Sequence, residues 1–182
     1  LVLNGGDASS TSIQLNDNSS LTVAKSSIVF SVTATGVNNT VALSGTIGNL
    51  TLDSGGILTL SDGIVTNATN KGNLTGTGAK FGTVTNYGDF TLNSGSITSS
   101  LDNSGNFNMS GGEVATLTNS ASTTMSGGTI ATVFNSGTFD LSGGTVTILD
   151  NTSTLTVTDG EIGTLNNQTD GVLTMSGGEI SV

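Results

Sequence analysis

The chain contains no cysteine, histidine, tryptophan or proline, and its only basic residues are three lysines, so arginine is missing too. Each absence closes off some chemistry. Without cysteine there is neither a disulfide framework nor a thiolate metal site. Three lysines stand against thirteen acids, a formal net charge of -10. That balance argues against nucleic acid, because phosphate binding needs Lys and Arg. It argues equally against an anionic membrane surface. No apolar run approaches the length of a membrane span, so no direct membrane insertion is expected, and no signal-peptide pattern is found in these 182 residues. Charged residues are only 9% of the chain, but 34% are apolar and the apolar ones recur at strict intervals, which points to order.

What is present is a repeat. Met109 to Val157 reads with a step of sixteen: MSGGEVATLTNSASTT, MSGGTIATVFNSGTFD, LSGGTVTILDNTSTLT. A period of this size signifies stacked units, each too small to bury its own apolar face. One apolar column runs almost end to end: Leu3, Val23, Leu43, Leu60, Gly76, Leu92, Met109, Met125, Leu141, Val157 and Met175. Two residues earlier lies a second column, Leu58, Leu74, Phe90, Phe107, Thr123, Phe139, Leu155 and Leu173, and the residue between the two is polar. Apolar, polar, apolar is the period-two signature of a half-buried strand. A Ser-Gly-Gly turn follows at Ser110, Ser126, Ser142 and Ser176, where glycine supplies positive φ. Beyond it come a β-branched column (Val65, Val114, Ile130, Val146, Ile162, Ile180) and another apolar one (Ala68, Val84, Leu117, Val133, Leu149, Leu165).

No helix fits this pattern, since there is no 3.6-residue period and glycine punctuates every repeat. The expected fold is all-β: a single-stranded, right-handed parallel β-helix, with three turn regions in each coil. About ten coils of 16–20 residues, spaced roughly 4.8 Å apart, make a rod on the order of 50 Å long. Residues 1–182 are expected to be one domain, with longer, irregular coils over 1–57 and regular coils of about sixteen residues over 58–182. The repeat stops in mid-pattern without a capping element, as a fragment of a longer protein would.

An asparagine column completes the repeat: Asn70, Asn86, Asn103, Asn119, Asn135, Asn151 and Asn167. One reading is a structural ladder whose amides hydrogen-bond along the rod axis. The other is an outward recognition stripe. Replacing Asn119 by Leu separates them, because only the ladder reading makes it destabilising.

The pattern x-Thr-Leu-x-Asn-Ser-Gly-x-Phe-x-Met-Ser-Gly-Gly, with its variations over Ala115 to Gly128, resembles the passenger domains of bacterial autotransporter adhesins. More loosely it is similar to self-associating adhesins of the antigen 43 and AIDA type. The resemblance covers most of the chain from about Leu43 and implies an extracellular location at a bacterial cell surface, reached through an outer-membrane β-barrel outside this sequence. It implies no particular binding residues.

Enzymatic function is not expected. Some β-helices cleave polysaccharides, but Glu113 and Glu161 lie three coils apart, roughly 14 Å, too far for paired carboxylates. Glu161 and Glu179 fall in successive coils, yet no arginine, histidine or aromatic sugar platform accompanies them. Asp150, Asp159, Glu161, Asp170 and Glu179 gather in the last coils, but they make no sustained calcium-binding repeat and read as a solvated acidic end. No cofactor is expected. The candidate contact face consists of outward polar positions: Thr91, Asn106, Asn108, Ser122, Thr124, Thr138, Asp140, Thr154, Thr156 and Thr174. Phe134, in an otherwise polar column, is a candidate contact residue. The expected function is a structural and adhesive rod that attaches cell to cell or cell to host. Its partner would be a second copy, a host receptor or a glycan. The alternatives are a passive spacer for a distal domain and an ice-binding solenoid.

Overall fold

The structure is a computed structural model that describes residues 1–37 and 39–181. Every helix or strand among them is a β-strand, and every strand pairing is parallel. The strands stack as a β-solenoid of about 11 turns. One coil shows how the sequence produces this. Strand Asn106–Met109 alternates, with Phe107 and Met109 buried and Asn106 and Asn108 exposed. The chain turns at Ser110–Gly112 and runs back as strand Glu113–Asn119, which buries Val114, Leu117 and Asn119. It bends at Ser120 and Ala121 and enters the next coil as strand Ser122–Met125.

Registers follow the sequence columns. Leu92 pairs with Met109, Met109 with Met125, Met125 with Leu141, and Leu141 with Val157. The second column runs from Leu58 through Leu74, Phe90, Phe107, Thr123 and Phe139 to Leu155. The core is therefore a bundle of like-on-like columns along the axis. Phe90 stacks on Phe107 with ring centres 5.4 Å apart, and Phe81 meets Phe90 edge-on at 5.6 Å. Gly76, the one glycine in an apolar column, is explained by Phe81: a Cβ on Gly76 would lie 3.1 Å from that ring. The large side chain one column over fills the space that the glycine leaves.

The stacking does not stop at the corners. Ser126 N–H donates to the Met109 carbonyl at 2.8 Å, Thr129 N–H to that of Gly112 at 2.9 Å, and Ser120 N–H to that of Asn103 at 2.9 Å. Such close approach sets the need for glycine. Gly128 has φ of 88°, and a Cβ there would lie 2.6 Å from the Gly112 carbonyl oxygen.

Two features depart from the simple repeat. In the regular coils one of the three expected turns is a kink within a strand. Val114 and Leu117 both point inward although they are three residues apart, so Glu113–Asn119 changes direction without leaving the sheet. In strand Asp89–Asn103 the same interval, Ile97 to Leu101, holds one more residue, and the register shifts there. The other departure lies in the irregular coils. Strand Thr40–Leu43 ends a three-stranded sheet with Ser20–Val23 and Val2–Leu3, whereas Ile57–Leu60 pairs only with Asn73–Asn86. Hydrogen bonding along this side of the rod is thus interrupted once among the described residues. The opposite side continues, through Thr46–Leu52 and Ile64–Asn70.

Replacing Gly128 by Ala imposes both a positive-φ strain and a backbone clash, and it is expected to cost about 1–3 kcal/mol. Gly55 also has positive φ, at 84°, but open space where its Cβ would be. Gly55→Ala should therefore cost only about 1 kcal/mol. Urea unfolding of the two variants measures the difference, and equal losses would mean that close packing of the corners contributes nothing.

Candidate functional site: an amide ladder inside, two polar faces outside

Asparagine closes each coil of the regular region at the same point, the last residue of a strand before a bend. Its side chain points inward. Asn70, Asn86, Asn103, Asn119, Asn135 and Asn151 are all buried, and Asn167 is exposed. The amides form one continuous chain. Nδ2 of each donates to Oδ1 of the next: Asn70 to Asn86 at 2.7 Å, Asn86 to Asn103 at 2.7 Å, Asn103 to Asn119 at 2.9 Å, Asn119 to Asn135 at 2.8 Å, Asn135 to Asn151 at 2.7 Å and Asn151 to Asn167 at 2.7 Å. The same Nδ2 atoms also reach backbone carbonyls across the bend, as Asn119 does to Thr138 at 2.9 Å. Oδ1 of Asn103 and of Asn135 each accept the N–H two residues ahead at 3.3 Å. Every buried side-chain polar atom among the described residues has a partner. A carboxamide can do this because it both donates and accepts, whereas a carboxylate in the same place only accepts. Earlier coils carry Leu15, Ala34 and Leu52 at this register, and there the bend is held by other groups. Buried Asn39 is one of them, accepting from Ser19 N–H and donating to the Thr35 carbonyl.

The outward candidates occupy two neighbouring columns on one side of the rod. Asn106, Ser122, Thr138 and Thr154 stack in the first, and Thr91, Asn108, Thr124, Asp140, Thr156 and Thr174 in the second. Asn108, Thr124, Thr154 and Thr174 are exposed, and Thr91, Ser122, Thr138, Asp140 and Thr156 are half-buried. Asn106 is exposed, but its amide is engaged by the Asp89 carboxylate at 2.8 Å. The first column ends on Val172, an exposed apolar residue.

A second outward face was visible in the sequence only through Phe134. Thr33, Thr51, Thr69 and Thr85 stack in consecutive coils, and Asp102, Thr118, Phe134, Asp150 and Asn166 continue the column. Beside it run Ser31, Asn49, Asn67 and Thr83. The signal was in the sequence, since these residues flank the inward Ala68 and Val84, but no one letter repeats often enough to mark the column. Phe134 belongs here, 46% exposed between Thr118 and Asp150.

No family model, curated protein or solved structure matches this chain.

The acidic candidates do not converge. Glu161 pairs with Glu179 and both are exposed, and no group of three or more His, Cys, Asp or Glu among the described residues could hold a metal ion. No helix among those residues is long and apolar enough to cross a membrane.

Asn119→Leu breaks the ladder in the middle and removes the donor to Asn135 Oδ1. An expected loss of about 1–3 kcal/mol follows from the unmet buried polar group. The exposed neighbour Thr118, changed to Leu, should stay within about 0.5 kcal/mol of the parent. Equilibrium unfolding in urea decides this, and a neutral Asn119→Leu would remove the ladder from any role in stability.

Proposed function

We propose that this chain is an adhesive rod of a bacterial cell surface, of the kind carried by autotransporter passengers, which attaches cell to cell or cell to host through its polar faces. The observation that carries the reading is the division of the coil. Inward positions are committed to apolar columns and the amide ladder, while outward positions repeat Thr, Asn and Ser in straight columns over many coils. Such a surface offers hydroxyl and amide groups at a spacing of roughly 4.8 Å per coil. Each contact is weak in water, but a partner lying along the rod meets many at once, and their effects combine. A second copy, a host receptor or a glycan would meet this description. A passive spacer needs the same core but has no use for the outer columns.

Ice binding has one observation in its favour, the run Thr33, Thr51, Thr69 and Thr85. Asp102, Phe134 and Asp150 interrupt the column beyond it, so the regular array is only four coils long. Freezing hysteresis of the purified chain should be absent.

The adhesive reading is tested by displaying the chain on a non-aggregating bacterium and following settling and attachment to coated beads. Display should cause clumping or attachment, and the double change Thr124→Lys and Thr156→Lys should reduce it several-fold with no shift in melting temperature. Displayed chains that leave cells dispersed and beads bare would favour the spacer.

A further inference from the structure

All three lysines of the chain lie before residue 81, and two of them, Lys25 and Lys80, line one cleft of about 640 Å³. The cleft opens beside Thr40–Leu43, where that strand and Ile57–Leu60 share no backbone pairing. Its lining includes the exposed apolar residues Ala42 and Ile64, and Ser44 and Asp62 add a hydroxyl and a carboxylate. The walls are fixed by corner hydrogen bonds: Ile64 N–H to the Gly45 carbonyl and Lys80 N–H to that of Gly63, both 2.9 Å. One Asp62 oxygen accepts Gly63 N–H at 2.7 Å, which fixes its carboxylate at the corner. Neither lysine ammonium has a hydrogen-bond or ion-pair partner among the described residues.

We infer that this cleft binds a uronic-acid saccharide, an acidic sugar chain bearing ring carboxylates. The chemistry matches group by group. Ammonium groups take carboxylates by charge-assisted hydrogen bonds. Asp62 and Ser44 can bond sugar hydroxyls, and the exposed Ala42 and Ile64 suit the C–H face of a ring. Lys25 and Lys80 belong to coils three steps apart, so their backbones are separated by roughly 14 Å along the axis. That span suits a short run of rings better than a single sugar. An acidic peptide lacks the dense hydroxyls that Asp62 and Ser44 would meet. In a chain of net charge -10, placing two of three cations in one concave site is hard to explain as a solubility device. This inference gives the adhesive reading a specific partner and rests on that reading for its biological setting, but its test does not need cells.

Titration calorimetry of the purified chain at low salt, with galacturonic acid oligomers, should show binding that weakens as salt is added. Neutral galactose oligomers of equal length should bind about four- to twenty-five-fold more weakly, the combined loss of two exposed charged contacts. Lys25→Gln and Lys80→Gln should each weaken binding about two- to five-fold, the range for an exposed ion pair. Lys71→Gln, outside the cleft, should change nothing, and all three variants should melt with the parent. Absence of binding, equal binding of the neutral oligomers, or an equal loss with Lys71→Gln would overturn the site. Poly-glutamate binding as tightly would overturn its assignment to a saccharide. If oligomers fail to bind while displaying cells still clump, the cleft falls and the adhesive reading stands; the converse result separates them the other way.

Discussion

Hydrogen bonding in one direction, from each coil to the next, is the constraint on which the whole molecule depends. Strands supply most of it, but strands alone would leave gaps at every bend. Backbone bonds bridge the corners, and in the regular coils the asparagine ladder adds a second bridge at one bend of each coil. Only a group that both donates and accepts can extend such a line from coil to coil, and the carboxamide is a neutral side chain that does so. Once the amide of one coil is placed, the position of the next is fixed, whether the interval is sixteen residues or, from Asn86 to Asn103, seventeen.

That constraint sorts the residues. Inside, most positions stack on their own kind, with exceptions such as Thr123 between Phe107 and Phe139, and where Gly76 leaves space Phe81 fills it. At the corners, carbonyls pass so close that a methyl group has no room, which is why Gly112, Gly128 and Gly144 recur with φ of 88°. Outside, nothing in the packing dictates identity. The outer columns drift among Thr, Ser, Asn and Asp, with an occasional Phe134 or Ile148, and it is there that function has freedom to act. A side chain outside can therefore change without disturbing the columns on the opposite side of the same strand.

The sequence made the regular coils legible because the side chains that stack are also the ones that repeat. Met109, Met125 and Leu141 could be aligned by counting, and so could the seven asparagines. Three features could not be counted. The kink between Val114 and Leu117 is invisible because three-residue spacing suggests a turn as readily as a bent strand. The interruption at Thr40–Leu43 lies in coils of unequal length, where no fixed step says which residues meet. For the same reason Lys25 and Lys80 looked like isolated charges, and only the folded coils bring them to one cleft. Outward columns were harder to read than inward ones, since several polar residues serve equally well in water.

The central claim is that successive coils sit directly over one another at a constant rise. The exposed column just past the asparagines gives a ruler, because Lys71, Ser120, Ser136, Thr152 and Gln168 all face solvent and the chain has no cysteine of its own. Spin labels on a cysteine at Lys71 and a second at each of the other four sites can be read by pulsed electron resonance. The backbone separations should rise linearly through about 14, 19, 24 and 29 Å, one strand spacing per coil. Distances that fail to increase in equal steps, or that reverse, would contradict the stacked coil and everything drawn from it.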